Sequence, residues 1–327
     1  MKIIYTLPGI ETPHGGYRIV MEHLTRLQAL GHEVALFVES NKTNCSWYPH
    51  TFPIISTKHD FKYYDCIVIG SPHSIWLQDS IKSYQKCFLF MQMDERKFRT
   101  NDPFWDRLCR LFYTSKFPII HGSLWGEEIC RSLGRTGPMH YIGNGVNFDH
   151  FPIEHSEKDG LVILLEGPFN KNPAKDVDQL ALKVAQQLKR EIPRLYVLAY
   201  GFDLTKNLSG IDEYIARPSL QEMNRFYRQA SILVKATKYD ARALSPIEAM
   251  TKGTVTSRAI ISGDDDLING YNSLRCDYDF DTLYQYSKSL LEHPAQRNIL
   301  SENCIKYVQE NCNWDKIIDQ LNSILCA

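Results

Sequence analysis

The chain has no C-x-x-C pair, no long apolar run and almost no net charge, and each absence removes a class of function. Its nine cysteines are an odd number scattered singly from Cys45 to Cys326. Neither a disulfide framework nor a zinc knuckle is indicated, and free thiols in a reducing compartment are expected. Thirty-seven Lys+Arg against 38 Asp+Glu leave a net charge of -1, so no global electrostatic drive toward nucleic acid exists and no such partner is expected. No apolar run approaches a membrane-spanning length, and MKIIYTLPG reaches the Pro8-Gly9 turn before a signal-peptide core could form. A cytoplasmic protein is the expectation. The first apolar run is not followed by G-x-G-x-x-G, which disfavours a nicotinamide cofactor. The 11 histidines show no metal-ligand spacing, and neither an internal repeat nor a low-complexity segment is present.

What is present is a globular composition, 43% hydrophobic and 23% charged, over 327 residues, enough for two domains with separate cores. Lys2 to Leu7 reads as a strand and Tyr17 to Leu30 as a helix. Gly31-His32 stops that helix before a second strand at Val34 to Val38, a crossover with parallel strands. Short apolar runs at 66–69, 87–91, 119–120 and 141–142 extend a parallel sheet covered on both faces. The polar, turn-rich stretch 144–160 breaks the alternation, which restarts at Leu161. The second half repeats the theme with helices at 176–191, 220–229 and 246–252 and strands at 195–199, 232–235 and 255–257. Helical patterns at 280–292 and 314–325 close the chain. The expected architecture is α/β, with two doubly wound, Rossmann-like domains facing a central cleft: 1–150, then 151–305, with 306–327 packing back on the first. Ligands of such sheets bind beyond the carboxyl ends of the strands.

The most informative stretch is Asp240 to Gly253, DARALSPIEAMTKG. Ser245 suits an N-cap and Pro246 a first helical turn. The free N–H groups of that turn favour a phosphate by about 0.3–1 kcal/mol. Glu248, one turn in, can accept hydrogen bonds from two neighbouring hydroxyls, as a ribose offers. The pattern describes a nucleoside diphosphate site; an ordinary capped helix with a dipole-compatible glutamate has the same local chemistry.

The string LSPIEAMTKGTVT resembles the donor-site signature of retaining glycosyltransferases of family 4, in which two glutamates at E-x7-E precede A-M-A-x-G. Glu248 matches the second glutamate and Asp240 stands at the first, one methylene shorter. His14-Gly15-Gly16-Tyr17-Arg18 resembles the family's glycine-rich loop, where backbone approaches a phosphate or acceptor. DCIVIGSPH, with His73, resembles its histidine segment, Gly143-Asn144-Gly145-Val146 its N-G-V motif, EGPFNKNPAKD its basic loop and CNWDKI its closing helix. Gln92 and Glu95 in MQMDERKF are similar to a subset handling cell-surface polysaccharide.

The resemblance implies the GT-B fold and transfer of a hexose or deoxyhexose from a nucleotide diphosphate sugar to a glycan or lipid-linked glycan, with retention. It implies His73 and Asp240 at the reacting centre. Donor contacts would come from Gly15, Gly16, Arg242, Leu244, Ser245 and Glu248, with Lys171 or Lys175 supporting the leaving group, where Pro168 replaces a frequent arginine. No cofactor and no essential metal are implied. The departures at Asp240, Ala243 and Pro168 also suit a catalytically silent GT-B subunit or a nucleotide- or sugar-binding protein.

Two further features need a reading. Asp264-Asp265-Asp266 superficially matches a metal-holding D-x-D, but an acidic surface loop is the commoner origin of such a run. The stretch 96–116 interleaves six basic residues with Phe98, Phe104, Trp105, Phe112 and Tyr113. Such a patch could rest on anionic headgroups at the inner membrane face, at about 1 kcal/mol per basic residue; such aromatics also commonly belong to a core.

Overall fold

The computed structural model describes residues 1–40, 42–155, 158, 160–167, 174–176, 178–202 and 208–327, with the backbone alone at 58–60. The chain divides into two compact units, Met1–Asn144 with Asp315–Ala327, and Gly145–Trp314.

In the first unit the chain runs β1 (Lys2–Leu7), α1 (Gly15–Ala29), β2 (Glu33–Val38), β3 (Ile54–Ile55), β4 (Cys66–Ile69) and β5 (Lys86–Met91). It continues through α2 (Pro103–Tyr113), β6 (Ile119–His121), α3 (Leu124–Ser132) and β7 (Met139–Tyr141). The strands pair in parallel in the order β3-β2-β1-β4-β5-β6-β7. The inner strands β1, β2, β4, β5 and β6 are buried along nearly their whole lengths, which explains why they read as continuous apolar runs, whereas the edge strands β3 and β7 are half-buried.

The second unit runs β8 (Val162–Glu166), α4 (Leu180–Glu191), β9 (Tyr196–Gly201), β10 (Glu213–Ala216), α5 (Leu220–Gln229) and β11 (Ile232–Asp240). After these come α6 (Leu244–Met250), β12 (Val255–Gly263), β13 (Ser273–Cys276), α7 (Phe280–Glu292) and α8 (Pro294–Asn311). Its sheet is also parallel, in the order β10-β9-β8-β11-β12-β13. In each sheet the order reverses once, between β1 and β4 and between β8 and β11. Such reversals open a crevice at the carboxyl ends of the strands.

The unit boundaries lie at 144/145 and 314/315 rather than 150/151 and 305/306. Val146 and Phe151, inside the turn-rich stretch, are buried in the second core. Residue 306 falls inside α8, an unforeseen helix whose Leu300, Cys304 and Val308 also belong to that core. Its buried face includes Arg297 and Ser301, which hides the apolar period. The final helix, α9 (Trp314–Cys326), rests on the first unit: Lys86 Nζ donates to the Cys326 carbonyl at 2.7 Å, and Gln320 to the Tyr141 carbonyl at 2.9 Å. The N-G-V and tryptophan motifs meet, because Val146 N–H donates to the Cys312 carbonyl at 2.9 Å and the Trp314 ring covers Gly145.

Candidate functional site

β11 and β12 run to nine residues each, well past the apolar stretches that announce them, and so carry charged side chains to the crevice beside β8. Asp240 is the last residue of β11. Its carboxylate lies 3.4 Å from Lys175, 3.7 Å from Arg258 and 3.8 Å from Lys235. Burial alone would raise its pKa, but Lys175, Lys235 and Arg258 together outweigh burial and hold it at about 2. Asp240 is therefore a fixed anion and hydrogen-bond acceptor at neutral pH. The buried Lys235 ammonium is also paired with the Glu166 carboxylate and donates to Ser245 Oγ at 2.9 Å, while the Ser245 hydroxyl donates to Glu166.

Glu248 is buried one turn into α6, where its carboxylate accepts a hydrogen bond from the Tyr227 hydroxyl at 3.1 Å. Tyr227 and Tyr200 pair through their hydroxyls at 3.0 Å. Burial pushes both phenols well above their usual range, so they remain protonated. Leu244 opens α6 and packs against the second core.

Two expectations for this region need correction. Ser245 is not the N-cap; Ala243 is, and its N–H donates to the Asp264 carboxylate at 2.9 Å, which frees Ser245 to bridge Lys235 and Glu166. The Asp264-Asp265-Asp266 run is not a solvated surface loop, since Asp264 and Asp266 are 2% and 3% exposed. Asp264 pairs with Arg258 at 2.5 Å and Asp266 with Arg242, because buried carboxylates require cations. Arg242, expected as a donor contact, is a buried ion-pair partner of Asp266. Tyr307 adds a hydrogen bond to Asp266 at 2.9 Å. Lys171, with Pro168, lies outside the described residues. Among the described residues, no group of three or more His, Cys, Asp or Glu is disposed to hold a metal.

In the first unit, Gly15 and Gly16 are the first two residues of α1 rather than a preceding loop. A Cβ on Gly16 would stand 2.8 Å from Gln92 Oε1, so glycine permits close packing of the helix start on the end of β5. His73 lies in a 3-10 stretch, Pro72–Ser80, beyond β4, and its ring lies tilted against Trp105 with the centroids 4.3 Å apart. Burial, then Arg99, depresses its pKa, leaving a neutral imidazole at pH 7. α2 divides the aromatic patch: Trp105, Phe112 and Tyr113 are core, while Phe104 and Leu111 are 72% and 51% exposed. No helix among the described residues is long and apolar enough to cross a membrane.

Sequence reasoning missed Glu166, Lys235, Arg258 and Tyr227. A signal existed: VILLE, ILVKA and VTSRAI each place a charge within or at the end of an apolar strand, which a buried parallel sheet tolerates only where charges pair.

No family model and no curated protein matches the chain. Solved structures do. Sucrose-phosphate synthase from Thermosynechococcus elongatus superposes with a TM-score of 0.81 at 16% identity, over 99% of this chain and 98% of that one. Anabaena HepE in complex with UDP-glucose gives 0.81 at 10% identity, over 100% and 99%. WaaG, a glycosyltransferase involved in lipopolysaccharide biosynthesis, gives 0.71 at 14%, over 99% of each chain. The likeness shows the fold, two Rossmann-like α/β units of the GT-B type.

Proposed function

We propose that this protein is a retaining glycosyltransferase that moves a sugar from a nucleoside diphosphate sugar to a glycan or lipid-linked glycan in cell-surface polysaccharide synthesis. The observation that carries the reading is that the end of β11 and the first turns of α6 carry an Asp240 held ionised by three cations and a buried Glu248 held by Tyr227. Glu248 offers carboxylate oxygens to the ribose hydroxyls, and Asp240 faces the sugar. Lys175 and Lys235 supply positive charge near the departing diphosphate, and no metal is required for that role. The HepE complexes with UDP-glucose and with UDP support uridine nucleotides as the first donors to try.

The exposed Phe104 and Leu111, flanked by Arg107 and Arg110, support contact of α2 with an anionic lipid surface at the cytoplasmic membrane face. One observation favours a second reading, a catalytically silent nucleotide- or sugar-binding protein: the cations near Asp240 are already paired with carboxylates. A thermal-shift panel of nucleoside diphosphates followed by UDP-glucose hydrolysis tests the proposal. Stabilisation by UDP with donor turnover supports the enzyme, stabilisation without turnover of any nucleotide sugar supports the binding protein, and no stabilisation by any nucleotide rejects both.

A further inference from the structure

The turn that leaves β12 folds back onto the end of β11. Gly263 pairs with Asp240 at the last register position of the two strands with φ at +104°, and Asp264 follows at +56°. A Cβ on Gly263 would fall on the Asp240 carbonyl oxygen, so the close approach requires glycine. Aspartate tolerates the left-handed region better than most residues, but the conformation still costs energy and persists where the surroundings impose it.

Those surroundings are the loop between β11 and α6. The Asp264 N–H reaches the carbonyls of Asp240 at 3.1 Å and of Ala241 at 2.9 Å, and its carboxylate accepts from the Ala243 N–H at 2.9 Å. Asp266 holds the Arg242 side chain in a two-pronged buried ion pair. Every residue from Asp240 to Ala243 is thus tied to this turn, and α6 begins at Leu244.

The carboxylates of Asp264 and Asp240 are linked as well. Arg258 is fully buried, donates to the Thr237 hydroxyl at 2.6 Å and pairs with Asp264 at 2.5 Å, while its guanidinium lies 3.7 Å from Asp240. Lys175 and Lys235 reach Asp240 on flexible stems, and Lys235 is also engaged by Glu166 and Ser245. Arg258, planar and fixed at two points, presents the rigid cation. All three cations approach Asp240 most closely at Oδ2, so Oδ1 is the oxygen left for a ligand hydroxyl.

We infer that Asp264 is a positioning residue: by holding Arg258 it fixes the Asp240 carboxylate with Oδ1 toward the donor sugar, while Glu248, held by Tyr227, reads the nucleotide independently of it. The inference rests on the glycosyltransferase reading and gives the Asp264-Asp265-Asp266 turn the task of aiming the sugar contact. No covalent bond changes.

The full chain is titrated calorimetrically with UDP, GDP and ADP and with UDP-glucose, GDP-mannose and ADP-glucose, as wild type, Asp264→Asn, Asp240→Asn, the double variant and Thr237→Val. Asp264→Asn keeps an oxygen for the Ala243 N–H and removes the charge that holds Arg258. For the base that binds, it should leave affinity for the nucleoside diphosphate within about twofold of wild type and weaken the matching nucleotide sugar roughly tenfold. The double variant should bind the nucleotide sugar no more weakly than Asp240→Asn alone, because a positioning residue acts through the residue it positions. Thr237→Val removes the other anchor of Arg258 and should weaken the nucleotide sugar by about threefold with the diphosphate unaffected, which keeps the inference testable if Asp264→Asn does not fold. Equal weakening of diphosphate and nucleotide sugar, additive losses in the double variant, an unchanged nucleotide-sugar affinity, or a diphosphate bound without its sugar derivative overturns this inference and leaves the nucleotide assignment standing. No binding by any nucleotide overturns both.

Discussion

The carboxylate of Asp240 lies 3.7 Å from the guanidinium of Arg258, a fully buried side chain that pairs with Asp264 at 2.5 Å. Arg258 thus stands between two acidic groups whose pKa values are shifted in opposite directions. Cations hold Asp240 down despite its burial, whereas burial raises Asp264 with only partial opposition from Arg258.

The linkage of Asp240 to stability follows from that arrangement. Its pKa falls from 3.8 to about 2 on folding, so its contribution is present above pH 4 and disappears as pH drops through 2. The shift corresponds to roughly 2 kcal/mol. Asp240→Asn should lose about that much in urea melts at pH 7 and converge on wild type near pH 2. A variant as stable as wild type at pH 7 would contradict the cation-held carboxylate.

Glu248→Ala should weaken UDP binding by about 1.5–3 kcal/mol, a tenfold effect or more, because charged hydrogen bonds to the ribose are removed. Tyr227→Phe deletes only the hydrogen bond that orients Glu248 and should cost about 0.5–1.5 kcal/mol. Calorimetry in which Glu248→Ala retains full UDP affinity removes the ribose role.

Gly145→Ala places a methyl 2.4 Å from the Trp314 ring. Overpacking of this kind costs about 1–3 kcal/mol. A lowered thermal midpoint is expected; an unchanged midpoint would mean that the indole moves aside without penalty.

Phe104→Glu with Leu111→Glu changes two exposed positions on α2, so stability should move by about 0.5 kcal/mol or less per site. Flotation with anionic vesicles at low salt should fall relative to wild type. Equal flotation of the two proteins, or none by wild type, discards the lipid contact.

Much of the fold was legible because parallel strands buried on both faces must be apolar throughout, as at Cys66–Ile69 and Ile232–Val234. α8 escaped because its inner face mixes Arg297 and Ser301 with Leu300 and Cys304. Ser245 looked like a cap because serine is good at that task, yet a carboxylate from another strand end caps the Ala243 N–H instead.

The amino-acid sequence by itself determined two parallel α/β units and put Asp240 and Glu248 a short loop and one helical turn apart, since periodicity and local spacing are properties of neighbouring residues. Only the tertiary structure decided which charges meet. Glu166, Lys235, Arg258 and Asp264 come from three strands and the turn after β12, and their pairing depends on partners up to 69 residues away, which no local pattern encodes.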